Sequence, residues 1–368
     1  MNEYDRPVFF HLMAYASEAD HDVIDMVSGD PDWESPDALR AGLRAYADLH
    51  VDDFQYPPSE GLGELREAIA ERRGVDVEHA VVTNGAGEAN YLAMACGLAA
   101  LDGDEIVLTD PVYPYYYNRT EMLGATPRLV AAEPDGTLDP DAVAEIASSA
   151  TNAIVVNSPN NPTGAVYGRE TKRALAEIAA DHDALFVSDE VYDHLVYDEG
   201  AFASALEFDS PNVAVTNSFS KSMAITGFRV GYGVYPEWLV EDVRTRHMLV
   251  NVAGSRPAQF AVLEALGETP ASYYEGTRRM LEARIDAFCD ALDEAGAEYT
   301  RPRGSFYVMA RFEGFPGTLS NVERLIDEAG VAGMPGDAFG ESRADWLRFA
   351  LVTPRAEEAA QRLADYFS

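Results

Sequence analysis

Lys221, in the string Ser218-Phe219-Ser220-Lys221, is one of only two lysines in a chain that carries 63 acids and 25 arginines. An amine does what a guanidinium cannot: it can lose its proton and form a Schiff base with a carbonyl. Lys221 follows an apolar run and three small or apolar residues, with Arg229 downstream. The other lysine, Lys172, falls in a charged helical stretch (GRETKRALAEIAAD) and reads as a surface residue. Asp189 ends the apolar run ALFVSD, a place where solvated acids are uncommon.

These residues need elements to position them. The runs 80–83, 105–110, 153–157, 184–189 and 213–218 read as buried strands. Helical patterns at 87–101, 139–149 and 168–181 fall between several of them. Strands alternating with helices predict an α/β fold with a mostly parallel, doubly covered sheet. Ligands in such sheets bind beyond the carboxyl ends of the strands. Three runs end there in polar residues, Asn157, Asp189 and Ser218, and Lys221 lies just past the third. Flanking this region are a helix over 35–48, with Ser35 as cap and Pro36 in the first turn, and another over 61–73. A long amphipathic stretch runs from 271 to about 296. A strand (SFYVMARF), a helix at 319–329, a short strand near 332, a strand (WLRFALV) and a terminal helix from about 354 complete a smaller α+β unit. The expected division is a large domain at 49–270 and a small one made of 1–48 and 271–368.

The net charge of −36 makes nucleic acid and anionic membranes poor partners. The acids are spread along the whole chain, which fits adaptation to high salt: at about 1 M the Debye length is only about 3 Å. No run approaches the roughly 20 apolar residues of a membrane span. The stretch VFFHLMAYA carries a histidine, follows acids, and does not read as a signal peptide. A cytoplasmic protein is expected. Cys96 sits in a small-residue helix and reads as a buried free thiol, and Cys289 is the only possible partner for it. No metal site is suggested.

The strings YPPSEG (56–61), NGAGEA (84–89), DPVYPYY (110–116), NSPNNPTG (157–164), SDEVYDHL (188–195), SFSK (218–221) and TGFRVGY (226–232) occur in one order along the chain. Together they resemble the class I/II pyridoxal-phosphate aminotransferases of fold type I. The resemblance implies a large, mostly parallel sheet covered by helices plus a smaller α+β domain that closes over substrate. It implies pyridoxal 5'-phosphate as cofactor and an exchange of amino groups between an L-amino acid and a 2-oxo acid in two half-reactions. By that resemblance Lys221 matches the Schiff-base lysine and proton shuttle, and Asp189 the carboxylate facing the pyridine nitrogen. Asn161 and Tyr192 match the hydrogen-bonding partners of the cofactor's phenolic oxygen. Gly85, Ala86, Gly87, Ser218 and Arg229 match the phosphate site, and Tyr113 the ring stacked on the pyridine. Tyr56 matches a tyrosine that reaches the phosphate of a neighbouring subunit, which implies at least a homodimer. Arg348 matches the clamp on the substrate's α-carboxylate, and Gly29 the N-terminal loop glycine that closes over substrate.

Specificity is less legible. Some aspartate-acting members of the family carry a lysine where this chain has Gly87, so that anchor is missing. Arg246 resembles a distal-carboxylate arginine of another branch, but a short match of this kind reads more readily as a helix-surface residue. A dicarboxylate such as glutamate is the default donor. Alternatives are another reaction on the same fold, a β-lyase or decarboxylase, and a serine hydrolase of the S-x-x-K type. The latter wants companion SDN and KTG strings, and neither occurs. A cofactor-sensing regulator would need a basic nucleic-acid-binding module, which an acidic chain does not suggest.

Overall fold

A computed structural model describes residues 8–208 and 210–368. Its centre is a seven-stranded sheet: β1 (Ala80–Thr83), β2 (Glu105–Asp110), β3 (Thr126–Ala131), β4 (Thr151–Asn157), β5 (Leu185–Asp189), β6 (Val213–Ser218) and β7 (Gly231–Val234). The spatial order is β1-β7-β6-β5-β4-β2-β3. Strand β7 runs antiparallel to both neighbours, and the pairs from β6 to β3 are parallel. The strands show why they read as continuous apolar runs. In β4, Ala153 and Val155 enter one core while Ile154 and Val156 enter the core on the opposite face. In β5, Leu185 and Val187 face one way and Phe186 the other. A sheet covered on both faces must be apolar at every position.

Two strands were not expected. Strand β3 carries Pro127 and Arg128 and lies at the sheet edge, half exposed, where proline is tolerated. Strand β7 (GYGV) is weakened by glycine, but a Cβ on Gly231 would stand 2.5 Å from the Gly85 carbonyl carbon and 2.7 Å from the Ala86 nitrogen. Glycine there lets β7 press against the loop that opens helix Ala86–Ala100. The helix expected over 35–48 forms at Asp37–Ala47, but Pro36 occupies the cap position and no side chain caps it.

The remaining elements make a second layer. Met334–Pro335, Leu347–Ala350, Tyr307–Arg311 and Glu298–Thr300 form an antiparallel sheet in that order. Helices Ala271–Glu294, Leu319–Ala329 and Ala356–Phe367 pack around it, sharing a core with Phe288, Leu325, Phe349 and Leu363. Leu12 of helix Val8–Glu18 and Met26 join that core, and Ile24–Asp25 pairs in parallel with Val331–Ala332. The acids ahead of that helix lie outside the described residues. Helix Asp37–Ala47 behaves differently. It packs against Arg256–Glu268, with Leu39 beside Ala258 and Ala261, and Gly42 leaves only 3.0 Å between a would-be Cβ and the Ala261 Cα. A boundary at residue 49 does not anticipate that contact. Among the described residues no helix is long and apolar enough to cross a membrane. Cys96 and Cys289 are both buried and free.

The surface reading of Lys172 is wrong. Its side chain is fully buried, with Nζ 3.2 Å from Glu190 Oε1 and 2.9 Å from the Ala203 carbonyl. The helical period carries the reason: Lys172, Leu175, Ala176 and Ala179 form one buried face of helix Arg169–Asp181. The ammonium replaces an apolar group because Glu190, directly after Asp189, needs a partner there.

Candidate active site

Strand pairing brings the polar strand ends together. Asn157 is the register partner of Asp189, and Asp189 of Thr216, two residues before Ser218. Beyond these ends opens a cavity of about 920 Å³. Its wall includes Lys221, Asp189, Asn161, Tyr192, Arg229 and Arg348, drawn from both layers. Gly29, Ala86, Gly87, Tyr113 and Ser218 line it too. Residues far apart in the chain therefore converge, in the place expected for an open α/β sheet.

Lys221 sits in the short helix Phe219–Ser222 at the end of β6, its ammonium 2.6 Å from the Gly29 carbonyl. Burial pushes the pKa of the amine down to about 8; Asp30 opposes this, while Arg348 and Arg229 reinforce it. An amine poised there is readily freed for nucleophilic and proton-transfer chemistry.

Asp189 is almost wholly buried. Its Oδ2 accepts hydrogen bonds from Tyr116 Oη at 2.6 Å and Asn90 Nδ2 at 2.5 Å, and its Oδ1 from the Val191 amide at 3.0 Å. Thr216 fixes the Asn90 amide by donating to its oxygen at 2.8 Å. Burial raises the Asp189 pKa, and the bonds from Tyr116 and Asn90 pull it back. A cation facing the carboxylate would favour its ionised form. Neither Tyr116 nor Asn90 was expected here. Asn90 is a polar residue in a helix made mostly of small, apolar residues, and that was the available signal; Tyr116 was hidden in a row of tyrosines.

On the opposite wall Arg348 is buried. It donates from Nη1 to Asn161 Oδ1 at 3.3 Å and from Nη2 to the Val27 carbonyl, and lies 4.5 Å from the centre of the Tyr307 ring. Its Nε is buried with no hydrogen-bond partner, so the fork has capacity left for a ligand. The Asn161 amide is held by Asn157 Oδ1 at 2.9 Å. Tyr192 Oη lies 3.3 Å from Tyr307 Oη, and a Cβ on Gly29 would clash with the same Tyr307 oxygen at 2.1 Å. Tyr307 was read only as part of a strand; its role as a wall of the cavity comes from the second layer folding over the first.

Gly85 precedes helix Ala86–Ala100 with φ +77°, and a Cβ there would stand 2.5 Å from Arg229 Nη2. Helix amides and a guanidinium thus face one spot, a cradle for an anion. Arg229 itself adopts φ +55° and is held by the carbonyls of Thr226 and Asn84, each at 3.0 Å. Ser218 Oγ lies 2.8 Å from Ser220 Oγ and donates to the Val230 carbonyl at 3.0 Å. Tyr113 lies on the cavity wall, 4.7 Å centre to centre from the Tyr115 ring. Two residues stand elsewhere. Tyr56 is 82% exposed and lines no part of this protomer's cavity. Arg246 is half-buried beside Cys96, whose thiol burial pushes up to about 11, and it too lies off the cavity.

Pyridoxal phosphate asks for an amine, a carboxylate for its ring nitrogen, an anion cradle and donors for its phenolic oxygen. The cavity supplies Lys221, Asp189, the Gly85–Arg229 cradle, and Asn161 with Tyr192, so the residues fit the group.

Residues 21–366 match the family model for "Aminotransferase class I and II". A probable aspartate/prephenate aminotransferase of Thermus aquaticus is 35% identical, across 93% of this chain and 91% of its own. An aspartate aminotransferase of Pyrococcus horikoshii is 33% identical, across 93% and 90%. The solved structure of aspartate aminotransferase from Thermus thermophilus with maleate superposes with a TM-score of 0.91 at 31% identity, covering 98% of this chain and 97% of that one. The chain is therefore a member of the class I and II aminotransferases, a fold type I transaminase that uses pyridoxal phosphate.

Proposed function

We propose that this transaminase holds its cofactor and substrate through the residues gathered at the strand ends, and that its amino donor is a dicarboxylate such as glutamate or aspartate. The observation that carries the reading is the half-buried, pKa-lowered amine of Lys221 sharing one cavity with buried Asp189 and Arg348. The donor class rests on relatives named for aspartate and on a neighbour solved with maleate.

Pyridoxal phosphate supplies an aldehyde that takes up the amino group and a ring that accepts electrons from the substrate's α-carbon. Asp189 keeps a proton on the ring nitrogen, steadied by Tyr116 and Asn90. Asn161 and Tyr192 donate to the phenolic oxygen. The amides of Gly85, Ala86 and Gly87, with Ser218 and Arg229, would hold the phosphate, and Tyr113 would pack against the ring. Arg348 clamps the α-carboxylate with its planar fork, beside Gly29. Lys221, once freed, moves the proton at the α-carbon. A lyase or decarboxylase on the same fold would use the same residues, and the aminotransferase relatives favour transfer.

The working unit is proposed to be a homodimer in which Tyr56 reaches the partner's phosphate, consistent with its exposure here. Residues 49–270 form the cofactor-holding domain, with helix Asp37–Ala47 riding on it; the rest of 1–48 and 271–368 form the closing one. The two free thiols suit the cytoplasm, and the net charge of −36 suits concentrated salt.

Borohydride reduction of the holoenzyme, followed by peptide mapping, tests the reading. The cofactor label is expected on Lys221, and Lys221→Ala should lose both the label and turnover. A label on another residue would sink it.

A further inference from the structure

Among the described residues four cations line the cavity: Lys221, Arg229, Arg348 and Arg119, the last on helix Pro114–Met122. The first three are tied to protein acceptors: Lys221 to Gly29, Arg229 to Thr226 and Asn84, Arg348 to Asn161 and Val27. The Arg119 guanidinium makes no hydrogen bond and no ion pair among the described residues. Asp30 and Glu121 also line the cavity, yet neither pairs with it. Burial pushes its pKa down, with Tyr116 and Asp189 acting the other way. A half-buried guanidinium with five unused donors is costly unless a ligand completes it.

Its position says which part of a ligand that is. A Cβ on Gly87 would meet only Arg119 Nη2, at 3.8 Å. The space over the first turn of helix Ala86–Ala100 is thus open, and Arg119 overlooks it. The phosphate cradle already has Arg229, and the α-carboxylate has Arg348 with its unpartnered Nε. Among the described residues one guanidinium and one open space remain. Gly87 has no side chain with which to supply a charge there, and a neighbouring helix supplies it instead.

We propose that Arg119 receives the distal carboxylate of a dicarboxylic substrate and is the specificity-determining residue of this site. The inference rests on the placement of the phosphate at Arg229 and of the α-carboxylate at Arg348. A planar fork suits a carboxylate, and losing such a charged bond weakens binding by about tenfold to a hundredfold.

The test is calorimetric titration of the holoenzyme with succinate and with butyrate, which has the same length but one carboxylate. Wild type should prefer succinate by at least about tenfold, and Arg119→Gln should bring the two affinities together. Arg119→Met, which keeps the length of the stem, is read alongside in case the first variant misfolds. An unchanged succinate preference in both variants overturns the proposal. So does a raised cofactor dissociation constant with the preference intact, which would place Arg119 on the phosphate. A wild type that does not discriminate overturns it as well, while a label on Lys221 and amino transfer from any donor would leave the transaminase reading standing.

Discussion

Replacing Lys172 with alanine should destabilise the folded chain by about 3 kcal/mol, although the residue lies outside the cavity. The pair it makes with Glu190 is fully buried on both sides. Removing one member of a buried pair costs about 3–5 kcal/mol, because the other charge is left uncompensated. The lower end applies here. Glu190 keeps bonds from Ser204 Oγ at 2.8 Å, the Ala205 amide at 2.9 Å and Ser188 Oγ at 3.2 Å, and Arg73 stands 3.5 Å away. The ammonium also lies 4.0 Å from the Phe202 ring centre, and that contact goes too. Natural stabilities of about 5–15 kcal/mol make such a loss large. It should reach the site, since Glu190 follows Asp189 and its carbonyl accepts from Asn217 Nδ2 at 2.8 Å, just before Ser218. Urea unfolding at fixed molar KCl, with cofactor content by absorbance, measures both effects. Lys172→Met combined with Glu190→Gln removes both charges and should recover most of the loss. An unchanged urea midpoint for Lys172→Ala would refute the argument.

The cofactor-free enzyme should depend on pH through Lys221. Its folded pKa of about 8 lies below the usual 10.5, so between those values the unfolded chain binds more protons and stability rises with pH. The rise is worth about 3 kcal/mol; it should vanish in Lys221→Met, and an equal rise in that variant would assign it to another group. Dialysis of the enzyme from molar KCl into dilute buffer should cost folded structure, because 63 acids face only 27 basic residues. Unchanged circular dichroism and activity in dilute buffer would contradict the salt argument.

Much of the active-site neighbourhood was legible before any coordinates, for a local reason. Asn157, Asp189 and Ser218 end apolar runs, and the ends of buried parallel strands face one way. Gly85 and Arg229 stand in the strings NGAGEA and TGFRVGY, which resemble those of the family. What one sequence could not reveal was contact between distant segments. Tyr116 and Asn90 bond to Asp189 only because helices Pro114–Met122 and Ala86–Ala100 pack over the same strand end. Tyr307 meets Tyr192 only because the second layer folds back over the first. Strand β7 became visible through the backbone approach of Gly231 to Gly85, a constraint between segments and not a propensity within one.

Lys172 and Lys221 mark the division most plainly. Composition made both rare, and the surrounding strings singled out Lys221. Charge density around Lys172 suggested solvent, yet the apolar period of its helix pointed inward, and the buried carboxylate of Glu190 decided the matter. The sequence by itself carried the strand-and-helix alternation and the family strings, and it singled out the amine. Tertiary structure alone decided which charges are paired and which, like Arg119, make no ion pair among the described residues, because ion pairing and desolvation depend on distance through space and not along the chain.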